Sequence, residues 1–213
     1  MSKNERGRKD SLVLYSDYVC PFCYLGRQSL EQYQETHDSP EIDWHPFDLR
    51  SQKRGPDGEI DDSVDDGKDE EYFEQVRQNI ERLKEQYAAD EMLGLDEIPD
   101  VDSLDAQVVS LHVKQEHPDR WLAFDEAVFE ALWIEGRDIG DLAVLTKIAE
   151  NVGVDSDEIR DAVTDEELRN RLFEMFTEAQ RDGISGVPTF AYDGHAARGA
   201  VPPEQLERLI HGA

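Results

Sequence analysis

Leu12-Val13-Leu14-Tyr15 is a short apolar run, and Cys20-Pro21-Phe22-Cys23 follows it after only four residues. Four consecutive β-prone apolar residues predict a buried strand. Leu25, Leu30 and Tyr33 then fall at spacings that indicate an amphipathic helix. A proline suits the first turn of such a helix because its missing N–H has no partner there. The sequence therefore predicts a strand that leads directly into a helix with two cysteines at its start.

This position gives the two cysteines a specific chemistry. At a helix N-terminus, unpaired N–H groups and the positive end of the helix dipole favour a thiolate over a thiol. The thiolate is the nucleophile in disulfide exchange. We therefore expect Cys20 to attack or be attacked, and Cys23, one helical turn further on, to resolve the mixed disulfide. Phe22 adds no charge, so we expect a milder oxidant than an enzyme with His at this position.

Three other interpretations of the cysteine pair stay open. A zinc site usually has four ligands, but the chain has no second cysteine pair and its six histidines are scattered along the sequence. Two buried structural thiols are a second interpretation. A structural disulfide is the third, although so short a loop adds little stability.

The rest of the chain divides into two β-containing ends and a helical middle. Ile42 and Trp44 alternate with polar residues, which predicts a second strand and a right-handed βαβ unit with parallel strands. Helical spacings dominate after a polar loop at 50–68, with Ser103 and Thr164 as predicted helix caps. After Gly183 the chain becomes β-prone again. Asp193-Gly194 indicates a hairpin, and Pro202 and Pro203 begin a last helix.

The predicted fold class is therefore α/β, with the two ends forming one sheet and a large helical insertion between the βαβ and ββα halves. Residues 1–10 are interpreted as a flexible tail. Residues 11–49 and 184–213 form the sheet-containing domain, and residues 50–183 form an inserted loop and helical domain.

Gly186-Val187-Pro188-Thr189-Phe190 is a second notable sequence. A proline directly before a strand removes one ladder hydrogen bond. A cis Val187–Pro188 bond would turn the backbone sharply and leave peptide groups free for a substrate chain. An ordinary trans proline is the alternative, and X–Pro bonds in general favour it.

The charge balance is strongly acidic, with 50 Asp and Glu against 22 Lys and Arg and a formal net charge of −28. A nucleic-acid partner is not expected, because binding phosphates needs a basic surface. Such a composition is typical of proteins from salt-loving organisms, with an ordinary acidic protein as the alternative. The charged N-terminus is neither a signal peptide nor a membrane anchor. We therefore expect a soluble cytoplasmic protein.

Three segments together resemble the DsbA-like branch of the thioredoxin superfamily, and within it the FrnE-like oxidoreductases. They are residues 16–26 around the cysteines, residues 127–139, which include Ala127-Val128-Phe129-Glu130-Ala131-Leu132-Trp133, and residues 183–200 around Pro188. The resemblance extends over nearly the whole chain after residue 10. It implies that the sheet-containing domain is thioredoxin-like.

The resemblance also implies site residues. Val187–Pro188 would be cis and would face the cysteines, and Cys20 would be the exposed nucleophile, with Cys23 and Pro188 completing the catalytic set. Asp17 would be a proton-handling residue, with a plain turn residue as the alternative. The remaining residues expected to bind substrate or support the site are Pro21, Phe22, Val187 and Thr189.

The implied activity is thiol–disulfide exchange on protein thiols or a low-molecular-weight thiol, without a metal or an organic cofactor beyond the Cys20–Cys23 disulfide. Related 2-hydroxychromene-2-carboxylate isomerases generally carry Ser at the first cysteine position, so the two cysteines here favour disulfide chemistry. A thiol-dependent isomerase or transferase and a non-catalytic redox-sensitive binding protein are the alternatives. A homodimer is left open.

Overall fold

A four-stranded sheet organises the chain, which the computed structural model describes over residues 11–55 and 58–212. The strands are β1 (Leu12–Ser16), β2 (Ile42–Pro46), β3 (Thr189–Tyr192) and β4 (His195–Arg198). Their order in the sheet is β2-β1-β3-β4. β1 runs parallel to β2 and antiparallel to β3, and β3 and β4 form an antiparallel hairpin. The two ends of the chain therefore form one sheet, as predicted. The predicted tail at 1–10 lies outside the described residues.

Eight helices surround this sheet in the described part of the chain. They are α1 (Pro21–Gln34), α2 (Glu70–Tyr87), α3 (Leu104–Glu116), α4 (Pro118–Trp133), α5 (Leu142–Asn151), α6 (Ser156–Thr164), α7 (Glu166–Arg181) and α8 (Pro203–His211). Helices α2 to α7 lie between β2 and β3 in the chain. The α/β class with a large helical segment between βαβ and ββα units is thus confirmed, whereas the domain limits stay a prediction.

The apolar run of β1 is buried on both faces of the sheet. Leu12 and Leu14 pack in one cluster with Leu206 of α8, whereas Val13 and Tyr15 pack on the other face with Ala179 of α7. This two-sided burial explains why the strand has no polar alternation. The hairpin turn lies at Asp193-Gly194, as predicted. Both residues have the positive φ values that such a turn needs, of 45° and 80°.

The helical segment shares a core with the end of the sheet that carries the cysteines. One buried cluster contains Leu25 of α1 and Trp44 of β2 together with Phe124 of α4 and Leu172 of α7. This packing fixes the position of α1 against helices that come much later in the chain. In residues 11–55 and 58–212, no helix has the length and apolarity needed to cross a membrane.

Of the two predicted helix caps, one is confirmed in position only and the other is wrong by one residue. Ser103 is the N-cap residue of α3, as predicted. The side chain of Ser103 makes no cap hydrogen bond at α3, because its hydroxyl is used elsewhere. Thr164 is the last residue of α6, a helix that the sequence pattern did not separate from its neighbour. The next residue, Asp165, caps α7 because its carboxylate accepts the N–H groups of Glu167 and Leu168.

Candidate active site

The two cysteines lie side by side at the start of α1. Cys20 is the N-cap residue in an extended conformation, and Pro21 occupies the first helical position. Cys23 donates its N–H to the Cys20 carbonyl oxygen at 3.0 Å, which closes the first turn. The two cysteines are 3.4 Å apart and both are free thiols. The geometry brings together two sulfur atoms at the positive end of a helix dipole.

Burial of the cysteines differs from the expectation. The resemblance implied an exposed Cys20, but Cys20 is only 3 % exposed and Cys23 only 1 %. Phe22, between them, is half-buried and packs against the main core. The reason for the burial is tertiary, because a loop from the other end of the chain covers the turn.

That covering loop contains a cis Val187–Pro188 peptide bond, as the resemblance implied. The Cys20 thiol donates to the Val187 carbonyl oxygen, with sulfur and oxygen 3.5 Å apart. Residues that are 167 positions apart in the chain therefore meet directly at the Cys20 sulfur. The expectation that Pro188 faces the cysteines agrees with this contact.

Thr189 and Gly26 hold this loop in place. The Thr189 side chain is fully buried, and its hydroxyl donates to the Gly186 carbonyl oxygen at 2.8 Å. It therefore supports the loop and is not free to bind a substrate. On the helix side, a Cβ at Gly26 would lie 3.0 Å from Cγ of Pro188. The absence of a side chain at Gly26 allows α1 and the proline ring to pack closely.

The carboxyl group of Asp17 is buried and surrounded by hydrogen-bond donors. Ser103 donates its hydroxyl to Oδ1 of Asp17 at 2.5 Å, and Gln107 donates its amide to the same oxygen at 3.2 Å. The backbone N–H of Leu49 donates to Oδ2 at 2.8 Å, and that of Val19 donates to Oδ1 at 3.3 Å. All of these donors are neutral, so the carboxyl group has hydrogen bonds but no counter-ion among them.

The electrostatics of Asp17 and Cys23 are linked. Burial raises the pKa of Asp17 to about 6, although the bonds from Ser103 and Leu49 oppose the rise. Burial also raises the pKa of the Cys23 thiol well above its usual value, and the neighbouring Cys20 and the charge of Asp17 add to the effect. Asp17 is thus near enough to Cys23 for its charge to act on the thiol, and a plain turn residue would not be placed this way.

Sequence reasoning did not assign Ser103 and Gln107 to this site. Both are buried on α3 or at its start and approach Asp17 from 86 and 90 residues away. Gln107 also donates to Ser103 Oγ at 3.1 Å and to the Phe47 carbonyl oxygen at 3.2 Å. One signal was available, namely the one-turn spacing of two polar residues in an otherwise apolar helix face.

A buried ion pair lies one turn beyond the cysteines. Arg27 of α1 pairs with Asp125 of α4, and Asp125 also accepts the hydroxyl of Tyr18 at 2.8 Å. The Ser110 hydroxyl in turn donates to the Tyr18 oxygen at 2.7 Å. Burial raises the pKa of Asp125, although Arg27 and Tyr18 oppose the rise. This network ties the cysteine helix to the helical segment.

An acidic cavity of about 590 Å³ opens beside α1, starting at the residue that follows Cys23. Burial raises the pKa of Tyr24, at its edge, to about 12, and nearby carboxylates add to the rise. Its acidic lining residues are Glu31, Asp90, Glu91, Glu126, Glu130 and Glu135. Because the one lining arginine, Arg27, already pairs with Asp125, the cavity carries a net negative charge.

Comparisons with known proteins agree with this geometry. The family described as the DSBA-like thioredoxin domain matches residues 11–211. The uncharacterized protein YwbO of Bacillus subtilis (strain 168) is 29 % identical over 203 residues, which cover 93 % of this chain and 94 % of YwbO. The probable DsbA oxidoreductase SCO1869 from Streptomyces coelicolor superposes with a TM-score of 0.71 at 22 % identity, covering 94 % of this chain and 88 % of that one. A 2-hydroxychromene-2-carboxylate isomerase superposes with a TM-score of 0.74 at 18 % identity, covering 94 % of each chain. At these identities the two solved structures establish the fold alone.

Proposed function

Because this chain belongs to the family of DSBA-like thioredoxin domains, we propose that it is a thiol–disulfide oxidoreductase that works through Cys20 and Cys23. One observation carries the proposal: two free thiols 3.4 Å apart at a helix N-terminus, the first touching the carbonyl oxygen that precedes cis Pro188. A zinc site or a pair of inert thiols needs no such loop.

The reaction proceeds in two exchanges. The Cys20 thiolate attacks one sulfur of a client disulfide, which forms a mixed disulfide and releases the other client sulfur as a thiolate that takes up a proton. The Cys23 thiolate then attacks Cys20 Sγ and releases the second client thiol. The client gains two electrons and two protons, and the Cys20–Cys23 pair becomes a disulfide. The reverse sequence oxidises a client dithiol.

Asp17 would take the proton of Cys23 in the second exchange. The Cys23 thiol must ionise to attack, but its burial holds its pKa high. A carboxyl group with a pKa of about 6 is ionised at neutral pH and can accept that proton. Ser103 and Gln107 act as positioning residues, since they hold Asp17 Oδ1 by hydrogen bonds.

Protein thiols are the proposed clients rather than an anionic small thiol such as glutathione. The support is electrostatic, because the cavity beside α1 is lined by six acidic residues and the whole chain carries a net charge of −28. Both features repel an anion and attract a cationic polypeptide segment. A cytoplasmic location belongs to the same proposal.

Paired serine substitutions test this proposal, and each variant is the matched control of the other. We expect Cys20→Ser to abolish both reduction and oxidation of a test disulfide. We expect Cys23→Ser to form mixed disulfides with client thiols and to release them slowly, which non-reducing gel electrophoresis would detect. Turnover in Cys20→Ser at the wild-type rate would refute the proposal.

The alternatives give different results in the same assays. A thiol-dependent isomerase of the 2-hydroxychromene-2-carboxylate type would need a low-molecular-weight thiol and would keep its activity in Cys23→Ser. A redox-sensitive binding protein would have a measurable Cys20–Cys23 potential but no turnover. Measuring that potential in a thiol buffer would also determine the direction of electron flow.

A further inference from the structure

Three potential metal ligands meet where α3, α4 and α6 join. His112 lies in the last turns of α3, His117 is the single residue between α3 and α4, and Glu158 lies in the first turn of α6. One ligand atom from each residue lies within 4.8 Å of the other two. The cluster involves neither the cysteines nor Asp17, so it is independent of the proposed redox site.

The spacing of the ligand atoms approaches that of a metal site. His117 Nε2 lies 2.8 Å from Glu158 Oε2, and His112 Nε2 lies 3.5 Å from the same oxygen. Around a tetrahedral ion with ligand bonds of about 2.0–2.1 Å, neighbouring ligand atoms are about 3.3 Å apart. The two imidazole nitrogens lie within 4.8 Å of each other, so side-chain rotation would have to bring all three ligand atoms to this spacing around one ion.

The backbone holds the ligands at defined positions. His117 donates its N–H to the Val113 carbonyl oxygen at 2.8 Å, and its own carbonyl oxygen accepts the N–H of Trp121 at 3.1 Å. The N-cap of α6 is Asp155, whose carboxylate accepts the N–H of Asp157 at 2.7 Å and so fixes the turn that carries Glu158. Sites on helices and their caps are held more exactly in place than sites on loops.

Partial exposure leaves room for a further ligand. The side chains are 20 % exposed at His112, 29 % at His117 and 44 % at Glu158. An ion bound by three protein ligands at such a position can complete its coordination with water.

We propose that His112, His117 and Glu158 bind one divalent transition-metal ion of the zinc type. Two imidazole nitrogens and one carboxylate oxygen suit zinc, whereas magnesium and calcium prefer oxygen ligands alone. The bound ion would cross-link the α3–α4 corner to α6. The competing explanation is a histidine–carboxylate ion pair that joins these helices without any metal.

Zinc titration of the full chain tests the proposal, provided that the cysteines are removed as competing ligands. In a Cys20→Ser/Cys23→Ser background, calorimetry should find one equivalent of Zn²⁺ bound and no binding of Mg²⁺. His117→Ala and Glu158→Gln should each weaken zinc binding at least tenfold. His195→Ala, at an exposed position in β4, is the matched control and should leave zinc binding unchanged.

Cobalt absorption gives a readout that needs no variant of the three ligands. Bound Co²⁺ should give the intense visible bands of a four- or five-coordinate ion rather than the weak bands of the hexaaqua ion. Absence of Zn²⁺ binding in the cysteine-free background, or unchanged binding in both His117→Ala and Glu158→Gln, would overturn the proposal and leave the ion-pair explanation. None of these results depends on whether the chain exchanges disulfides.

Discussion

Asp17 is a carboxyl group buried among neutral donors. Its folded-state pKa of about 6 exceeds the value of about 4 expected in an unfolded chain. The folded protein therefore holds this proton more tightly than the unfolded chain does. The resulting stabilisation is complete below about pH 4 and is lost as the pH rises to about 6, so the ionised carboxylate costs about 3 kcal/mol at neutral pH.

Asp17→Asn should remove this pH dependence. Between pH 4 and pH 6 we expect the free energy of unfolding of the wild type to fall relative to that of the variant, as measured by urea denaturation. Other carboxyl groups with raised pKa values, such as Asp125, are present in both proteins and cancel in this comparison. Any gain at neutral pH should be smaller than 3 kcal/mol, because the single amide oxygen of Asn cannot accept both the Leu49 N–H and the Ser103 hydroxyl, as the two oxygens of Asp17 do. Parallel pH profiles for the two proteins would contradict the raised pKa.

The same variant should slow the second exchange. If Asp17 accepts the Cys23 proton, the wild-type rate of release from the mixed disulfide should rise as the pH passes through about 6. Asp17→Asn should lose this inflection and be slower by ~10² at neutral pH. Stopped-flow release of a chromophoric thiol from Cys20 measures the rate, and Cys23→Ser provides the baseline without release. An unchanged inflection would assign the proton to another acceptor.

The sequence predicted site residues whose setting is local, and it missed residues that only the packing of distant helices brings to a site. The place of Cys20 and Cys23 at a helix start was predictable because a short motif and the adjacent strand and helix define it. The cis bond at Pro188 was implied only by the family resemblance, since X–Pro bonds in general favour trans. Ser103 and Gln107 were not predictable, because their contact with Asp17 depends on how α3 packs against the end of β1. The closeness of His112, His117 and Glu158 was missed for the same reason, since three helices must meet to create it.

The orientation of α1 depends on contacts along its whole length. Gly26 lets it approach Pro188, and Arg27 anchors it to Asp125 of α4. The Arg27 side chain is 7 % exposed and that of Asp125 is fully buried. Removing one partner of such a pair leaves an uncompensated buried charge, whereas exposed pairs contribute little.

Asp125→Asn should therefore destabilise the protein by about 3–5 kcal/mol. The matched control is Glu150→Gln, which breaks the exposed Lys147–Glu150 pair and should cost about 0–1 kcal/mol. The double variant Arg27→Met/Asp125→Leu should recover much of the loss, because apolar side chains of similar size avoid the desolvation cost. Chemical denaturation measures all three, and similar losses for Asp125→Asn and Glu150→Gln would contradict the importance of the buried pair.

Element prediction succeeded where the local pattern and the tertiary environment agree. The apolar run of β1 and the Asp193-Gly194 turn needed no distant contact to be recognised. Thr and Asp are both common N-cap residues, so the sequence alone does not decide whether Thr164 or Asp165 caps α7. The end of α6 at Thr164 decides it, and that end depends on packing against α3 and α5.

The net charge of −28 acts on the molecule as a whole. The repulsion among exposed carboxylates opposes the compact state, and salt screens it because the Debye length falls from about 10 Å at 0.1 M to about 3 Å at 1 M. The acidic cavity concentrates this repulsion, since burial and the neighbours Glu126 and Glu135 raise the pKa of Glu130.

We expect the melting temperature to rise substantially between 0.1 M and 1 M KCl, as measured by calorimetry. Glu126→Gln/Glu130→Gln should raise the melting temperature most at low salt, so that its advantage over the wild type shrinks at 1 M. The matched control is Glu85→Gln/Asp161→Asn, which removes two exposed carboxylates outside the cavity and should have a smaller effect. A melting temperature independent of KCl would argue against the halophilic interpretation.

The distance along the chain between Cys20 and the loop that covers it also matters during protein synthesis. The cysteine turn leaves the ribosome early, whereas Val187 is added 167 residues later. At about 5–20 residues per second, this interval lasts on the order of ten seconds or more. Throughout that time the nascent chain lacks both the loop and the strand that pairs with β1. The newly made thiols therefore stay uncovered, and accessible to oxidants, until the loop around Val187 has been synthesised.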